Sequence, residues 1–259
     1  MKFLFKFTIL LACIWASSAN AEPLTDPYKN LPVLQSMAAQ GAKFSEPFQA
    51  PDGLTGFMTT FQGRDFPVYI LAGGKHVLYG DLLQADGKNL TETHLKLYPT
   101  SVGGEEIWED LQKARWIAVG DKHPERVIYT FVDANCPYCH QQWKAAVPYL
   151  EKGLQVRYIM VAMISDTSTP KALEILSAAD PAAMLKSYEE SPSKQRAGKA
   201  ATEDNRDLQR EIVKNTMLLK DLDMRGTPAS FYEDGKGSTY AVPGIMPDEL
   251  FKRLLQKNN

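Results

Sequence analysis

The chain has 259 residues, with 29 basic and 31 acidic side chains and a net charge of −2 at pH 7. This balance, without a block of one sign, argues against the strongly basic surface that nucleic-acid binding requires. The length is enough for one large domain or two small ones. Because the chain has only three cysteines, its fold cannot depend on a framework of several disulfides.

The first 21 residues have the pattern of a secretory signal peptide. Lys2 and Lys6 supply positive charge, the apolar stretch 7–15 follows, and residues 19–21 form a cleavage site of the A-x-A type. The apolar stretch is too short to span a bilayer as a stable helix. Cleavage after this site would deliver the mature chain to an oxidising compartment.

Lipid attachment at Cys13 is the alternative to cleavage, because residues 10–13 resemble a lipoprotein-processing sequence. The apolar stretch continues past Cys13, and a complete cleavage site follows it. These two features favour removal of the whole segment over lipid anchoring. The mature chain would then keep two cysteines, Cys136 and Cys139.

Residues 22–88 are predicted to form a small α+β domain. Residues 26–41 fit a short amphipathic helix that ends at a glycine, as helices often do. Three apolar stretches separated by turn sequences predict an antiparallel sheet of hairpins, at residues 54–61, 66–71 and 76–83. A core of this size is small for an independent domain, and association with a second copy would enlarge it.

Residues 89–122 are predicted to be a linker that contains one helix. This helix covers residues 105–116, in which Ile107, Leu111 and Ala114 lie on one apolar stripe. The stripe predicts that one face of the helix packs against a core.

Residues 123–259 have the alternating pattern of an α/β fold. A strand at 127–132 precedes the two cysteines, a helix runs from them to about residue 150, and a buried strand follows at 154–164. A charged, helix-rich segment at about 170–223 comes next, and a hairpin and a closing helix complete the chain. This order predicts a thioredoxin fold with a helical insertion.

Cys136 and Cys139 form a C-x-x-C motif where the predicted strand gives way to the predicted helix. The unpaired N–H groups at a helix N-terminus lower the pKa of a nearby thiol, and Pro137 suits the first helical turn. The spacing puts both sulfurs on one side of the helix, within the separation that a disulfide needs. We predict that Cys136 is the exposed, ionised nucleophile and that Cys139, more buried, resolves the mixed disulfide.

Two other roles for the cysteine pair are a metal site and a structural disulfide. A structural zinc site usually needs a second C-x-x-C pair or two closely spaced histidines. The histidines of this chain are scattered, and His140 alone lies next to the pair. A disulfide that closes so small a loop removes little unfolded-state entropy. Redox activity is therefore the favoured interpretation, with no metal and no cofactor.

The dipeptide Thr227-Pro228 precedes the predicted hairpin strand and is the second feature of the site. Most X-Pro bonds are trans, and a proline before a strand usually only marks where the strand begins. In an α/β unit that carries C-x-x-C, however, a proline here is where thioredoxin-like proteins hold a cis bond opposite the cysteines. A cis bond, which the sequence leaves open, would free the Thr227 backbone for a substrate strand and bring its side chain to the sulfurs.

The segments 131–140, Phe-Val-Asp-Ala-Asn-Cys-Pro-Tyr-Cys-His, and 226–229, Gly-Thr-Pro-Ala, together resemble the periplasmic DsbC/DsbG thiol:disulfide isomerases. The Cys-Pro-Tyr-Cys sequence is like DsbG, whereas His140 and the Gly-Thr-Pro-Ala sequence are more like DsbC. The likeness covers nearly the whole mature chain.

The resemblance implies several further properties. Residues 22–88 would be a cystatin-like dimerisation domain, giving a V-shaped homodimer whose active sites face a cleft in the periplasm. A membrane reductase of the DsbD type would keep the cysteines reduced, and misfolded or sulfenylated exported proteins would be the substrates. Two alternatives stay open, a net disulfide oxidase with DsbA-like activity and a protein that is chiefly a chaperone. The reduction potential does not follow from the sequence.

The chain departs from the thioredoxin pattern at the buried acid. Thioredoxins and DsbA carry an acidic residue six positions before the first cysteine, where this chain has Thr130. Asp133 is predicted to be a surface cap, so proton transfer from Cys139 would rely on water or on His140. His140 is either a solvated helix residue or a group that tunes the thiol pKa, and Tyr138 is predicted to be exposed beside the sulfurs.

Overall fold

The computed structural model describes residues 31–191 and 198–256, which form two β-sheets covered by helices. The predicted signal peptide, with Cys13, lies outside the described residues, as do residues 26–30 of the first predicted helix. Among the described helices, none is both long and apolar enough to cross a membrane.

The N-terminal sheet has five short strands, and every pairing in it is antiparallel. Helix α1 (Pro32–Ala39) precedes the sheet. The strands follow in the order β1 (Lys43–Phe44), β2 (Phe48–Gln49), β3 (Thr55–Phe61), β4 (Arg64–Ile70) and β5 (Val77–Tyr79). The β3–β4 hairpin turns at Gln62 and Gly63, whose φ angles of 52° and 73° suit the tight turn of a twisted hairpin. The predicted hairpin strands are confirmed here.

The two faces of this sheet bury separate small cores. Leu34 of α1 packs with Phe57, Val68 and Ile70 on one face. On the other face, helix α2 (Leu90–Leu97) covers an aromatic cluster. A continuous hydrophobic core that joins the two faces is absent from the described residues, which fits the small core predicted from the sequence.

The second sheet has six strands in the order β6-β11-β10-β8-β9-β7, with β8 and β9 parallel and the other pairs antiparallel. Its strands are β6 (Ser101–Gly103), β7 (Trp116–Gly120), β8 (Arg126–Val132), β9 (Leu154–Met160), β10 (Ala229–Glu233) and β11 (Thr239–Pro243). The accompanying helices are α3 (Glu105–Lys113), α4 (Pro137–Ala146), α5 (Ser168–Leu176), α6 (Pro181–Glu190), α7 (Arg206–Asp221) and α8 (Asp248–Gln256). Helices α5 to α7 form the predicted insertion between β9 and β10.

Residues 101–120, within the predicted linker, contribute two strands to this sheet. Strand β6 pairs with β11, and β7 pairs with β9. Helix α3 ends at Lys113, earlier than predicted, because Trp116 already pairs with Ile159 in the sheet. Leu111 of α3 is fully buried against the aromatic residues of β8 and β10, so the predicted apolar stripe does cover a core.

Both faces of the six-stranded sheet are covered, which explains why β8 is apolar along its whole length. Ile128 and Val132 face the core under α4, α5 and α6, whereas Tyr129 and Phe131 face the core under α3 and α7. Strand β8 is therefore buried on both faces, and its end leads directly into the loop that carries the cysteines.

Candidate active site

The two cysteines lie where β8 passes into α4, as predicted. Cys136 is the N-cap residue of α4, Pro137 occupies the first turn, and Cys139 follows one turn on. The backbone N–H of Cys139 donates to Cys136 Sγ at 3.3 Å. Both cysteines are free thiols. The end of the central strand and the start of the helix thus place the two sulfurs together at one edge of the sheet.

The prediction that Cys136 is exposed is wrong. Its side chain is 7% exposed, against 1% for Cys139, so only the predicted order of burial holds. Cys136 is covered because the loop before β10 lies over it, and its thiol donates to the carbonyl oxygen of Thr227 at 3.1 Å. Tyr138, in contrast, is 59% exposed beside the pair, as predicted.

The surroundings shift the pKa values of the two thiols in opposite directions. The pKa of Cys136 is lowered to about 6, chiefly by a hydrogen bond from the Cys139 thiol, with smaller contributions from Thr227 and from the backbone N–H groups at the helix start. Burial raises the pKa of Cys139, and the neighbouring Cys136 raises it further. The helix N-terminus contributes as predicted, but the second thiol contributes more.

The peptide bond between Thr227 and Pro228 is cis, which the sequence had left open. The carbonyl oxygen of Thr227, at this bond, accepts the hydrogen bond from the Cys136 thiol. The Thr227 hydroxyl oxygen is buried without a hydrogen-bond partner among the described residues, yet it is near enough to both sulfurs to lower the pKa of each. The Thr227 side chain therefore lies near the sulfurs, and a direct bond between its hydroxyl group and either sulfur stays a prediction.

Asp133 is not the surface cap that the sequence predicted, because its side chain is completely buried. One carboxylate oxygen accepts hydrogen bonds from the backbone N–H groups of Met163 and Ile164, at 2.8 and 3.1 Å. The other accepts from the Asn135 backbone and the Ser168 hydroxyl, each at 2.9 Å. Asp133 therefore ties the loop after β9 to the loop that carries the cysteines.

His140 and Glu189 meet on the inner side of α4. His140 Nδ1 lies 3.6 Å from Glu189 Oε2, which is too far for a hydrogen bond. The His140 side chain is largely buried, so a freely solvated helix residue is excluded. Burial, and then the charge of Lys144, lowers the pKa of His140, which favours the neutral imidazole.

Glu189 is the residue of this site that the sequence interpretation missed. It lies on α6 in the helical insertion, is 6% exposed, and has its pKa raised to about 8 by burial and by the charge of Cys136. One signal was available, since Glu189 follows the buried Leu185 by four residues and so shares its face of the helix. Because α6 lies in a segment rich in charged residues, Glu189 was not distinguished from its exposed charged neighbours.

No group of three or more His, Cys, Asp or Glu side chains suited to a metal ion occurs among residues 31–191 and 198–256. Thr130, at the position of the thioredoxin acid, is fully buried, and its hydroxyl lies 3.0 Å from that of Ser230 on β10. A pair of hydroxyl groups therefore occupies the place where thioredoxins carry a carboxylate.

Known proteins are similar to this chain in fold and in sequence. The thioredoxin-like domain family matches residues 111–259. The thiol-disulfide exchange protein alpha-DsbA2 from Wolbachia pipientis has a solved structure that covers 60% of this chain and 92% of its own, with a TM-score of 0.50 and 14% identity, a likeness of fold. Fold and sequence together define a thiol:disulfide oxidoreductase with a thioredoxin fold.

The relatives of known sequence narrow this class. The thiol:disulfide interchange protein DsbG of Pseudomonas aeruginosa is 33% identical over 228 residues, which is 85% of this chain and 87% of that protein. DsbG of Escherichia coli is 29% identical over 251 residues, which is 96% of this chain and 98% of that protein. The chain belongs to the DsbC/DsbG family of thiol:disulfide interchange proteins.

Proposed function

We propose that this protein is an exported disulfide isomerase and reductase that works through Cys136 and Cys139. The opposite pKa shifts of the two thiols carry this proposal. Thiol–disulfide exchange needs one thiolate at neutral pH to attack and one protonated thiol held in reserve, which is the state that these shifts favour.

In the proposed cycle, the Cys136 thiolate attacks one sulfur of a substrate disulfide. A mixed disulfide forms, and the other substrate sulfur leaves as a thiolate. This thiolate can attack a different disulfide of the substrate, which gives isomerisation, or Cys139 can attack Cys136 Sγ, which gives reduction and a Cys136–Cys139 disulfide. Pro137 and Pro228 restrict the backbone on the two sides of the sulfurs.

The surroundings of Cys136 support contact with unfolded substrates. Tyr138, Met163 and Ile164 are exposed apolar side chains, two of them on the loop that Asp133 ties to the active site. Thr227 would offer its backbone to an extended substrate segment. Misfolded exported proteins with incorrect disulfides, and proteins with a sulfenylated cysteine, fit such a surface.

A net disulfide oxidase is the second candidate, and the pKa of about 6 for Cys136 favours it. A stabilised thiolate favours the reduced pair, which makes the corresponding disulfide a stronger oxidant. The direction of electron flow then depends on the partner that resets the pair, for which we propose a membrane reductase of the DsbD type.

The redox state of the pair in cells separates the two candidates. An isomerase must be kept reduced, so alkylation of acid-quenched cells is expected to modify both Cys136 and Cys139. Removal of the membrane reductase is expected to shift the pair to the disulfide. A pair that is oxidised even when the reductase is present would contradict the isomerase and support the oxidase.

Homodimerisation through residues 22–88 forms a further part of the proposal. The small divided core supports it, and so does the edge strand β5, where Tyr79 is 78% exposed and Leu78 is also exposed. An exposed apolar edge strand can pair with a second chain. We expect sedimentation at micromolar concentration to give the mass of two chains, and a single-chain mass would contradict this expectation.

Location in the periplasm completes the proposal. The predicted signal peptide and the DsbG relatives support it. Cleavage at residues 19–21, rather than lipid attachment at Cys13, would release the mature protein from the membrane.

A further inference from the structure

Three polar side chains lie under the active site, on the side of α4 that faces the insertion. We call Glu189, His140 and Tyr158 the Glu189 cluster. Glu189 and Tyr158 are buried, and His140 is largely so. The Tyr158 hydroxyl and His140 Nδ1 have no hydrogen-bond partner within the described residues. Buried polar groups are normally paired, so this cluster needs a functional explanation.

The cluster shares one buried core with Cys139, which also contains Cys136, Tyr158 and two residues of the Glu189 helix, Leu185 and Tyr188. Tyr158 lies close enough to both Cys139 and Glu189 that their charges raise the pKa of its phenol, in addition to the larger effect of burial. Glu189 also interacts with the charge of Cys136. The carboxyl group of Glu189 therefore shares one buried region with both sulfurs, although it comes from a different helix.

Cys139 must lose a proton before it can attack, and its burial opposes that loss. Thr130, at the usual acid position, is paired with Ser230 and is not a base at neutral pH. Asp133 already accepts four hydrogen bonds. Of the carboxyl groups that the structure describes near the pair, Glu189 is the one left to accept this proton.

We propose that Glu189 is the proton acceptor for Cys139 when it resolves the mixed disulfide, and the proton donor when the disulfide opens. This inference rests on the proposed function, because it assigns a role within the same cycle. We assign His140 and Tyr158 as positioning residues, because the unpaired His140 Nδ1 and Tyr158 hydroxyl are available to the carboxyl group once it ionises.

The proposed step is balanced in atoms and charge. Cys139 Sγ gives its proton to the Glu189 carboxylate and forms a bond with Cys136 Sγ. The bond between Cys136 Sγ and the substrate sulfur breaks, and the substrate leaves as a thiolate. One negative charge is present before the step, on Glu189, and one after it, on the leaving thiolate. In the reverse direction, Cys139 leaves as a thiolate and takes its proton from the Glu189 carboxylic acid.

The charge of Cys136 would determine at which step of the cycle Glu189 can accept the Cys139 proton. While Cys136 is a thiolate, the burial of Glu189 and, to a smaller extent, the charge of Cys136 hold the pKa of the carboxyl group at about 8. When Cys136 enters a mixed disulfide, that charge is lost and the pKa of Glu189 falls. More of the carboxylate form is thus present at the step in which Cys139 must be deprotonated, and an acid–base group is most effective when its pKa lies near the working pH.

Within the described residues, other titratable groups lie on α6 itself and on the elements that pack against it. Its own helix carries Lys186 and Glu190 on the exposed side, where they lie 3.7 Å apart. Helix α4 contributes Cys136, Cys139, His140 and Lys144, and strand β9 contributes Tyr158. Helix α5 contributes Glu174, which accepts a hydrogen bond from the Tyr188 hydroxyl. Arg115, before β7, lines the same pocket as Asp180 at the far end of α6.

The aromatic disulfide 5,5′-dithiobis(2-nitrobenzoate) can test this step, because the reduced protein releases two coloured thiolates from it in sequence. The first release reports attack by Cys136, and the second reports attack by Cys139 on the mixed disulfide. In Glu189→Gln we expect the first phase to be unchanged, with its inflection near pH 6, since Glu189 is still protonated when Cys136 ionises. The second phase should be slower by about tenfold to a hundredfold at pH 7.

The pH profile separates a chemical role of Glu189 from a structural one. The difference in the second phase should shrink at strongly alkaline pH, where hydroxide removes the Cys139 proton without help. Glu190→Gln, on the exposed side of α6, is the matched control and should leave both phases unchanged. Tyr158→Phe should slow the second phase less than Glu189→Gln does.

Three results would overturn one proposal or the other. A second phase in Glu189→Gln that equals that of the unmodified protein, or that is slower by the same factor at every pH, would overturn the role of Glu189. A first phase without an inflection near pH 6 would instead overturn the proposed role of Cys136. An intact first phase in the variant also shows that the site is folded.

Discussion

Replacement of Cys136 with alanine is expected to lower the rate of disulfide exchange by about a thousandfold or more, because the variant loses the attacking thiolate. Cys139→Ala should still attack substrates but should not resolve them, so mixed disulfides should accumulate. Reactivation of scrambled ribonuclease measures the first effect. Non-reducing electrophoresis, in which a covalent complex forms only with Cys139→Ala, measures the second.

The same pair of variants distinguishes an enzyme from a chaperone. If the protein is chiefly a chaperone, Cys136→Ala should suppress aggregation of an unfolded protein as well as the unmodified chain does. Loss of exchange with retained suppression would show that both activities coexist. Full exchange activity in Cys136→Ala would contradict the proposed function, since Cys139 has a raised pKa and is almost completely buried.

Replacement of Glu189 with glutamine is expected to change how the free energy of unfolding of the reduced protein depends on pH. In the folded protein the pKa of Glu189 is about 8, against 4.5 for an ordinary glutamate. The folded state therefore holds the proton more tightly, so Glu189 favours folding below pH 4.5 and loses this contribution as the pH rises through 8. The difference corresponds to about 5 kcal/mol over the whole range.

Urea unfolding of reduced protein at several pH values measures this effect. The free energy of unfolding of Glu189→Gln, relative to the unmodified chain, should rise between pH 4.5 and 8 and then level off. Glu190→Gln, whose side chain is exposed, should follow the unmodified chain throughout. Parallel curves for Glu189→Gln and the unmodified chain would contradict the raised pKa. An offset that is the same at every pH would reflect only the fit of the new amide.

Residues close together in the sequence explain most of the features that were predicted correctly. The apolar β8, the helix that starts at Pro137 and the hairpin β10–β11 each have a local pattern of hydrophobic, turn and capping residues. Such patterns depend on neighbours within one or two turns, so periodicity alone is sufficient to find them. The C-x-x-C motif belongs to this group, because its two cysteines lie one helical turn apart.

The features that were predicted incorrectly depend on residues far apart in the chain. Cys136 is buried because the loop of Thr227, 91 positions away, covers it, and the Thr227 carbonyl oxygen accepts a hydrogen bond from its thiol. Asp133 is buried because the backbone of residues 163–164 turns toward it. The strands β6 and β7 join the second sheet because β11 and β9 offer open edges. Periodicity within one segment contains no information about such partners.

Local residue patterns were enough to predict a thioredoxin fold with a helical insertion and a cysteine pair at the start of a helix, because the effects of proline, paired cysteines and apolar strands are local. The likeness to thioredoxin-like proteins, and not a local pattern, predicted Thr227-Pro228 as the neighbour of the pair. The depth of Cys136, the cis state of Thr227-Pro228 and the position of Glu189 beside His140 required the folded chain. A pKa depends on burial and on charges brought close by folding, and the acid–base chemistry of this site is therefore a property of its tertiary structure.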